Sequence, residues 1–221
     1  TCCDTVDAGC KTTPLDPAIS AGLEVIFAAK GQAGFRVLAL ATRAIAARAS
    51  YAREDERGMT FRGFLVFHDP PRPDAAKTIE ALGDLGVRIK VISGDNQHVT
   101  AHLARIIGLD PAAMLTGQQL ASLTDEALWH LAPRTDLFVE IDPQQKERIV
   151  RALQRTGHTV GYLGDGINDA PALHAADVGI SVDSAVDIAK AAAAVILLEK
   201  DLMVLDDGVI EGRKVFVNIL K

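Results

Sequence analysis

Hydrophobic and polar positions change rhythm along this chain. Between Leu15 and Gln32, the apolar residues Ile19, Leu23, Ile26 and Phe27 recur at the spacing of one helix face, and Gly31 with Gly34 supply the stop. The run FRVLALA, Phe35 to Ala41, then reads as a strand, followed by a charge-rich surface connection from Arg48 to Gly58. FRGFLVF, Phe61 to Phe67, is a second strand that ends in HDPPRPD. There Pro70, Pro71 and Pro73 cannot continue a ladder, and Pro73 can start a helix. Downstream the two rhythms alternate. The pattern predicts helices over 74–85, 97–107, 143–155 and about 170–174, and strands over 87–92, 137–141, 159–163, 178–181 and 195–198. Such alternation predicts a Rossmann-like parallel sheet wrapped by helices, an open α/β fold. From Asp201 to Lys221, Leu202, Leu205, Val209, Phe216 and Ile219 share approximately one face of an amphipathic helix.

With 221 residues, 48% of them hydrophobic, the chain can build one large core, or one core plus part of another. Acidic residues (29) outnumber Lys plus Arg (23), the net charge is -6, and no basic block occurs, which argues against a nucleic-acid partner. The longest apolar stretch, Ala191 to Leu198, is far short of the roughly 18 residues that span a bilayer, so the segment itself reads as soluble. Its start on Thr1 and its end on Lys221 inside a helical pattern are those expected of a piece of a longer protein. Cys2, Cys3 and Cys10 lack CxxC spacing and nearby histidines, and two vicinal thiols plus a distant one make a poor tetrahedron. They read as free thiols.

In an open α/β fold, ligands sit outside the carboxyl ends of the strands, and two glycine-containing polar turns fall there: SGDN after VRIKVI, and GDGIND after HTVGYL. Asp165 and Asp169 are hard oxygen ligands suited to Mg2+, although Asp169 could equally cap the next helix. A calcium EF-hand loop fits badly, because the twelfth position from Asp165 is Ala176 rather than glutamate. In SGDN, the Ser93 hydroxyl and successive backbone N–H groups could form an anion-binding concavity, or Ser93 or Asp95 could simply cap the following helix. Lys146 opens the helix of DPQQKERIV, where it is either a solvated charge or an ammonium aimed at a phosphate. Arg36 and Arg72 could each clamp a nucleotide phosphate or form a surface salt bridge. The histidines are scattered, and even His98 with His102 define no site.

The order of these pieces adds what no single one carries. DPPR, SGDN, TGQQL, DPQQKERIV, GDGINDAPAL and ADVGISV follow one another at the spacing of successive α/β units. The series resembles the phosphorylation domain of P-type cation-transporting ATPases, members of the haloacid-dehalogenase-like superfamily, from about Gly34 to the end of the chain. The tail, with ILLEK followed by LMVLDDGVIEGR, is most similar to the magnesium-translocating branch. The resemblance implies that Asp165 and Asp169 serve a catalytic Mg2+, with Asn168 and Gly166 in the shell around metal and phosphate. It implies that Ser93 and Gly94 hold phosphoryl oxygens, that Asp95 completes their loop, and that Lys146 neutralises the phosphorylated site. Arg36 would contact ATP phosphate, and Asp69 with Arg72 would lie at a hinge and help to place the nucleotide.

Departures from the family pattern matter as much. No DKTGT, whose aspartate accepts the γ-phosphoryl group, occurs in the chain, nor does the adenosine-binding KGA. The resemblance therefore implies three parts: residues 1–60 from the end of a nucleotide-binding domain, residues 61–200 from a phosphorylation domain without its nucleophile strand, and residues 201–221 from the start of a stalk helix. The parent would be a membrane pump with this segment on the cytoplasmic side, working with ATP, Mg2+, an actuator domain and membrane helices. The segment alone would be inactive. A soluble Mg2+-dependent phosphatase of the same superfamily and a non-catalytic nucleotide- or metal-binding module are the competing expectations. Loss of a central strand should also leave backbone unpaired, so that the chain is destabilised or borrows a strand from a neighbour.

Overall fold

The computed structural model describes residues 3–7, 12–68, 70–199 and 201–219. Its contacts divide the chain into two compact units, Thr1–Pro70 and Pro71–Lys221. The first contains strands β1 (Cys3–Asp7) and β2 (Thr12–Pro14), helix α1 (Pro17–Gln32), and strands β3 (Phe35–Thr42) and β4 (Met59–His68). Asp16 starts α1 by accepting the Ile19 N–H at 2.8 Å, with Pro17 in the first turn, and Gly34 at φ 84° turns the chain into β3. Among the described residues the sheet order is β2-β1-β4-β3, with β3 and β4 antiparallel. Phe61 to Phe67 belong to a strand laddered along β3 and lie in this first unit. Leu38 pairs opposite Leu65, and Arg36 opposite Phe67, so that these side chains share one exposed face.

In the second unit, α2 (Ala75–Asp84), β5 (Val91–Ile92), α3 (Gln97–Ile106), β6 (Met114–Thr116), α4 (Gly117–Ser122), α5 (Asp125–Leu131) and β7 (Leu137–Val139) come first. Then follow α6 (Pro143–Arg155), β8 (Gly161–Leu163), α7 (Ala170–Ala175), β9 (Val178–Val182), α8 (Asp187–Ala192), β10 (Val195–Leu197) and α9 (Val204–Ile219). The strands are parallel, as the alternation requires, but among the described residues they form two separate three-stranded sheets, β5-β7-β6 and β10-β9-β8. Strands β5 and β8 are edges. The strand expected over 87–92 shrinks to Val91 and Ile92, since only these two find partners, on Leu137 and Phe138 of β7.

Helix α6 ties the two sheets together. Asp142 and Gln145 close a capping box, with Pro143 at the first helical position. One stretch of its buried face, Ile149, Ala152 and Leu153, packs with Phe138, Leu120 and Leu128. The adjoining Val150 packs instead with Tyr162, Ala172 and Leu173. Ile92 and Val160 touch both clusters. Each fully buried aliphatic or aromatic side chain here contributes about 2 kcal/mol of hydrophobic stabilisation. α6 thereby fixes the position of whatever its first turn carries.

Candidate active site

Both glycine-containing turns leave the C-terminal ends of parallel strands, and the segment 140–146 reaches both. The Ser93–Asn96 turn follows β5. Ser93 donates its N–H to the Phe138 carbonyl, and its own carbonyl accepts from Ile141 N–H at 3.0 Å. Glu140 N–H donates to the Asp95 carbonyl at 3.0 Å. To do so Glu140 adopts φ 57°, a left-handed conformation that costs a non-glycine residue about 1 kcal/mol. Within the turn, the Ser93 hydroxyl accepts from Asp95 N–H at 3.0 Å and lies 3.3 Å from Asp95 Oδ2. Asn96, not Ser93 or Asp95, caps α3, accepting the N–H groups of His98 and Val99. Gly94 sits close under this strap, with 3.5 Å from the place a Cβ would take to the Ile141 carbonyl.

The turn after β8 is organised around one carboxylate. Asp169, 8% exposed, receives Lys146 Nζ at 2.7 Å and the Tyr162 hydroxyl at 2.9 Å on Oδ1, and Gly166 N–H at 3.0 Å on Oδ2. Burial pushes the Asp169 carboxyl up, but Lys146, the Gly166 N–H and the Tyr162 hydroxyl together hold it below the ordinary carboxylate range. Burial, followed by the nearby Asp169 charge, drives the Tyr162 phenol far above its ordinary value, so the hydroxyl keeps its proton and donates. Asp169 occupies the N-cap position of α7 without a side-chain cap bond, since its oxygens face back into the turn. Only glycine fits at 164, where a Cβ would lie 2.6 Å from Asp169 Cβ and 3.0 Å from the Tyr162 ring. Ser181, fully buried, donates its hydroxyl to the Gly164 carbonyl at 2.9 Å.

The two aspartates of the turn thus have different surroundings. Asp169 is engaged on both oxygens, whereas the exposed Asp165 has no hydrogen bond or ion pair on its carboxylate among the described residues. Asn168 and Gly166 lie in the intervening turn, Asn168 exposed. No group of three or more His, Cys, Asp or Glu side chains converges among the described residues. One open carboxylate fits Mg2+, which takes one or two carboxylates and fills its other positions with water and phosphate. Calcium, which needs a fuller oxygen cage, fits poorly.

The remaining candidates lie outside these two turns. Arg36 is on the exposed face of β3 in the first unit, while Arg72 reaches Asp74 at 3.2 and 3.3 Å. Asp74 also accepts Leu202 N–H at 3.0 Å ahead of α9. Asp69 lies outside the described residues, as do Cys2 and Cys10. The sequence pattern alone does not single out Tyr162 or Glu140. A tyrosine whose hydroxyl must find a partner in an otherwise apolar strand was the available signal for the first, and nothing in the residue type signalled the second.

Residues 13–177 match the pattern of the haloacid dehalogenase-like hydrolases, and the chain belongs to that family. Within it, the magnesium-transporting ATPase, P-type 1, of Escherichia coli is 46% identical over 220 residues, covering 99% of this chain and 24% of that protein. The Salmonella typhimurium protein of the same name is 52% identical over 191 residues, covering 85% of this chain and 21% of its own length. Calcium-transporting ATPase 1 of Saccharomyces cerevisiae is 33% identical over 217 residues, covering 96% of this chain and 23% of that protein. The chain spans about a quarter of the length of these curated relatives. No helix among the described residues is long and apolar enough to cross a membrane.

Proposed function

We propose that this chain is the cytoplasmic catalytic segment of an ATP-driven cation pump, with Mg2+ as the transported ion, working through an aspartyl-phosphate intermediate. The observation that carries the reading is the junction of Lys146 with Asp169 at 2.7 Å beside the open carboxylate of Asp165. In this reading a carboxylate outside the chain attacks the γ-phosphorus of ATP, and the bond to the ADP oxygen breaks. Ser93 and Gly94 receive oxygens of the resulting acyl phosphate, and Asp95 holds their loop. Lys146 offsets the negative charge that develops on the phosphoryl group. Asp165 would hold Mg2+, which would shield the repulsion between the phosphoryl group and the carboxylate, and Asn168 and Gly166 shape the turn around it. Asp169 serves by holding Lys146. Arg36, Arg72 and Asp69 are assigned to nucleotide placement. The nucleophile strand is assigned to the edges of β5 and β8, which have no strand partner on that side among the described residues and would support it from either side.

The test is labelling of the full-length protein with γ-phosphate-labelled ATP. An acid-stable, hydroxylamine-sensitive phosphoenzyme should form, should disappear in Asp165→Ala, and should be absent when the 221-residue chain is incubated alone. Self-labelling of the chain, or hydrolysis by it of a generic phosphate ester with Mg2+, overturns the proposal in favour of a phosphatase.

A further inference from the structure

Tyr162 has a hydroxyl that the reading above does not use. It sits in the middle of β8, 8% exposed, and its ring packs among Val150, Ala172 and Leu173, a setting that phenylalanine would satisfy. Its hydroxyl is nevertheless committed to Asp169 Oδ1, the same oxygen that receives Lys146 Nζ. A carboxylate turns easily about its terminal torsion, which is broad and twofold rather than locked in a rotamer well. Gly166 N–H fixes Oδ2, and the phenol fixes Oδ1 from the side of the sheet. With both oxygens pinned, the flexible lysine stem has one place to deliver its ammonium. The tight fit of Asp169 and the Tyr162 ring against Gly164 keeps the arrangement from sliding.

From this geometry we infer that Tyr162 is a positioning residue: through Asp169 it holds the Lys146 ammonium at the phosphoryl site. The inference rests on the proposed function for what Lys146 does there, but not for where Lys146 is held. Two measurements on Tyr162→Phe separate these. In the full-length protein, kcat for phosphoenzyme formation should fall about tenfold with the KM for ATP unchanged, the loss expected when one hydrogen bond that orients a charge is removed. In the 221-residue chain, acylation of Lys146 by acetic anhydride should accelerate about fivefold relative to Lys90, as the local restraint opens. Lys90 is the internal reference because its side chain is similarly shielded, 12% exposed against 13% for Lys146, but it is held elsewhere, by the Pro133 and Thr135 carbonyls. An unchanged Lys146 to Lys90 ratio overturns the inference, and so does a parallel rise at both lysines, which marks general loosening. Unchanged kcat in a protein that forms the phosphoenzyme also overturns it. Absence of any phosphoenzyme from the unaltered protein sinks the proposed function instead, and the labelling ratio then decides the positioning claim by itself.

Discussion

The two turns at the strand ends differ in how far they depend on side chains. Ser93–Asn96 is fixed by main chain: Phe138, Glu140 and Ile141 supply or receive the bonds that set its course. The turn from Gly164 to Asp169 has main-chain bonds to Ile180 and Val186 as well, but adds a junction of side chains, with Lys146, Tyr162 and Asp169 converging from α6, β8 and the turn itself. A backbone-held loop can lose a side chain and keep its shape. A loop held by one buried carboxylate transmits the loss of any partner to the others. The difference also suits the proposed chemistry, since N–H groups serve any phosphoryl oxygen, whereas a single cation must be placed.

The sharpest way to break this contrast is Lys146→Met. It leaves the buried Asp169 carboxylate without its countercharge, and should lower the stability of the chain to urea by about 3 kcal/mol. A change below about 0.5 kcal/mol would mean that the pair is not an organising contact. Gly164→Ala comes next: its methyl meets Asp169 Cβ and the Tyr162 ring, for an expected loss of about 2 kcal/mol. An undisturbed urea midpoint there would show that the turn is looser than described.

A carboxylate outside both turns provides a reference with a pH signature. Asp136, ahead of β7, accepts Arg88 Nε and Nη2 at 2.8 and 2.9 Å. Burial raises its pKa, but Arg88 and then Lys90 bring it below the ordinary value. A depressed carboxylate stabilises the fold above its unfolded pKa and loses that contribution as pH falls through the folded one. Asp136→Asn should therefore cost about 1.5 kcal/mol at pH 7, and the difference from the unaltered chain should close progressively below about pH 4 in urea titrations at each pH. A difference that persists undiminished at pH 2 would contradict it. The smallest effect belongs to Ser93→Ala, about 0.5 kcal/mol, because the hydroxyl accepts only the Asp95 N–H within the turn, while the bonds to Phe138, Glu140 and Ile141 run through main chain. A loss as large as that of Lys146→Met would erase the contrast between the turns.

Much of the fold was legible because local rules were obeyed. The apolar spacing of α1, Gly34 at its end and the span of α6 from Pro143 to Arg155 all depend on residues a few positions apart. Some short elements were not legible: β6, α4, α5 and α8, of three to seven residues, are too short for a period to emerge, whereas the equally short β7, β8 and β10 were marked by apolar runs. β5 was overestimated because hydrophobicity marks a segment that can be a strand, whereas the ladder is set by what lies beside it. At the site, the candidates Ser93, Lys146, Asp165 and Asp169 were visible as residue types at strand ends. Their division of labour was not.

By itself the sequence determined the alternating α/β pattern and the positions of the two turns, whereas the caps it offered at Ser93, Asp95 and Asp169 are not those the structure uses. Only the tertiary structure decided that Asp169 rather than Asp165 takes Lys146, that Tyr162 joins them, and that Glu140 bends to clamp the other turn. The reason is that Lys146 and Asp169 are 23 residues apart, and their meeting depends on how α6 packs across both sheets. Hydrogen-bond partners at such a distance are selected by burial, which no local pattern of residues encodes.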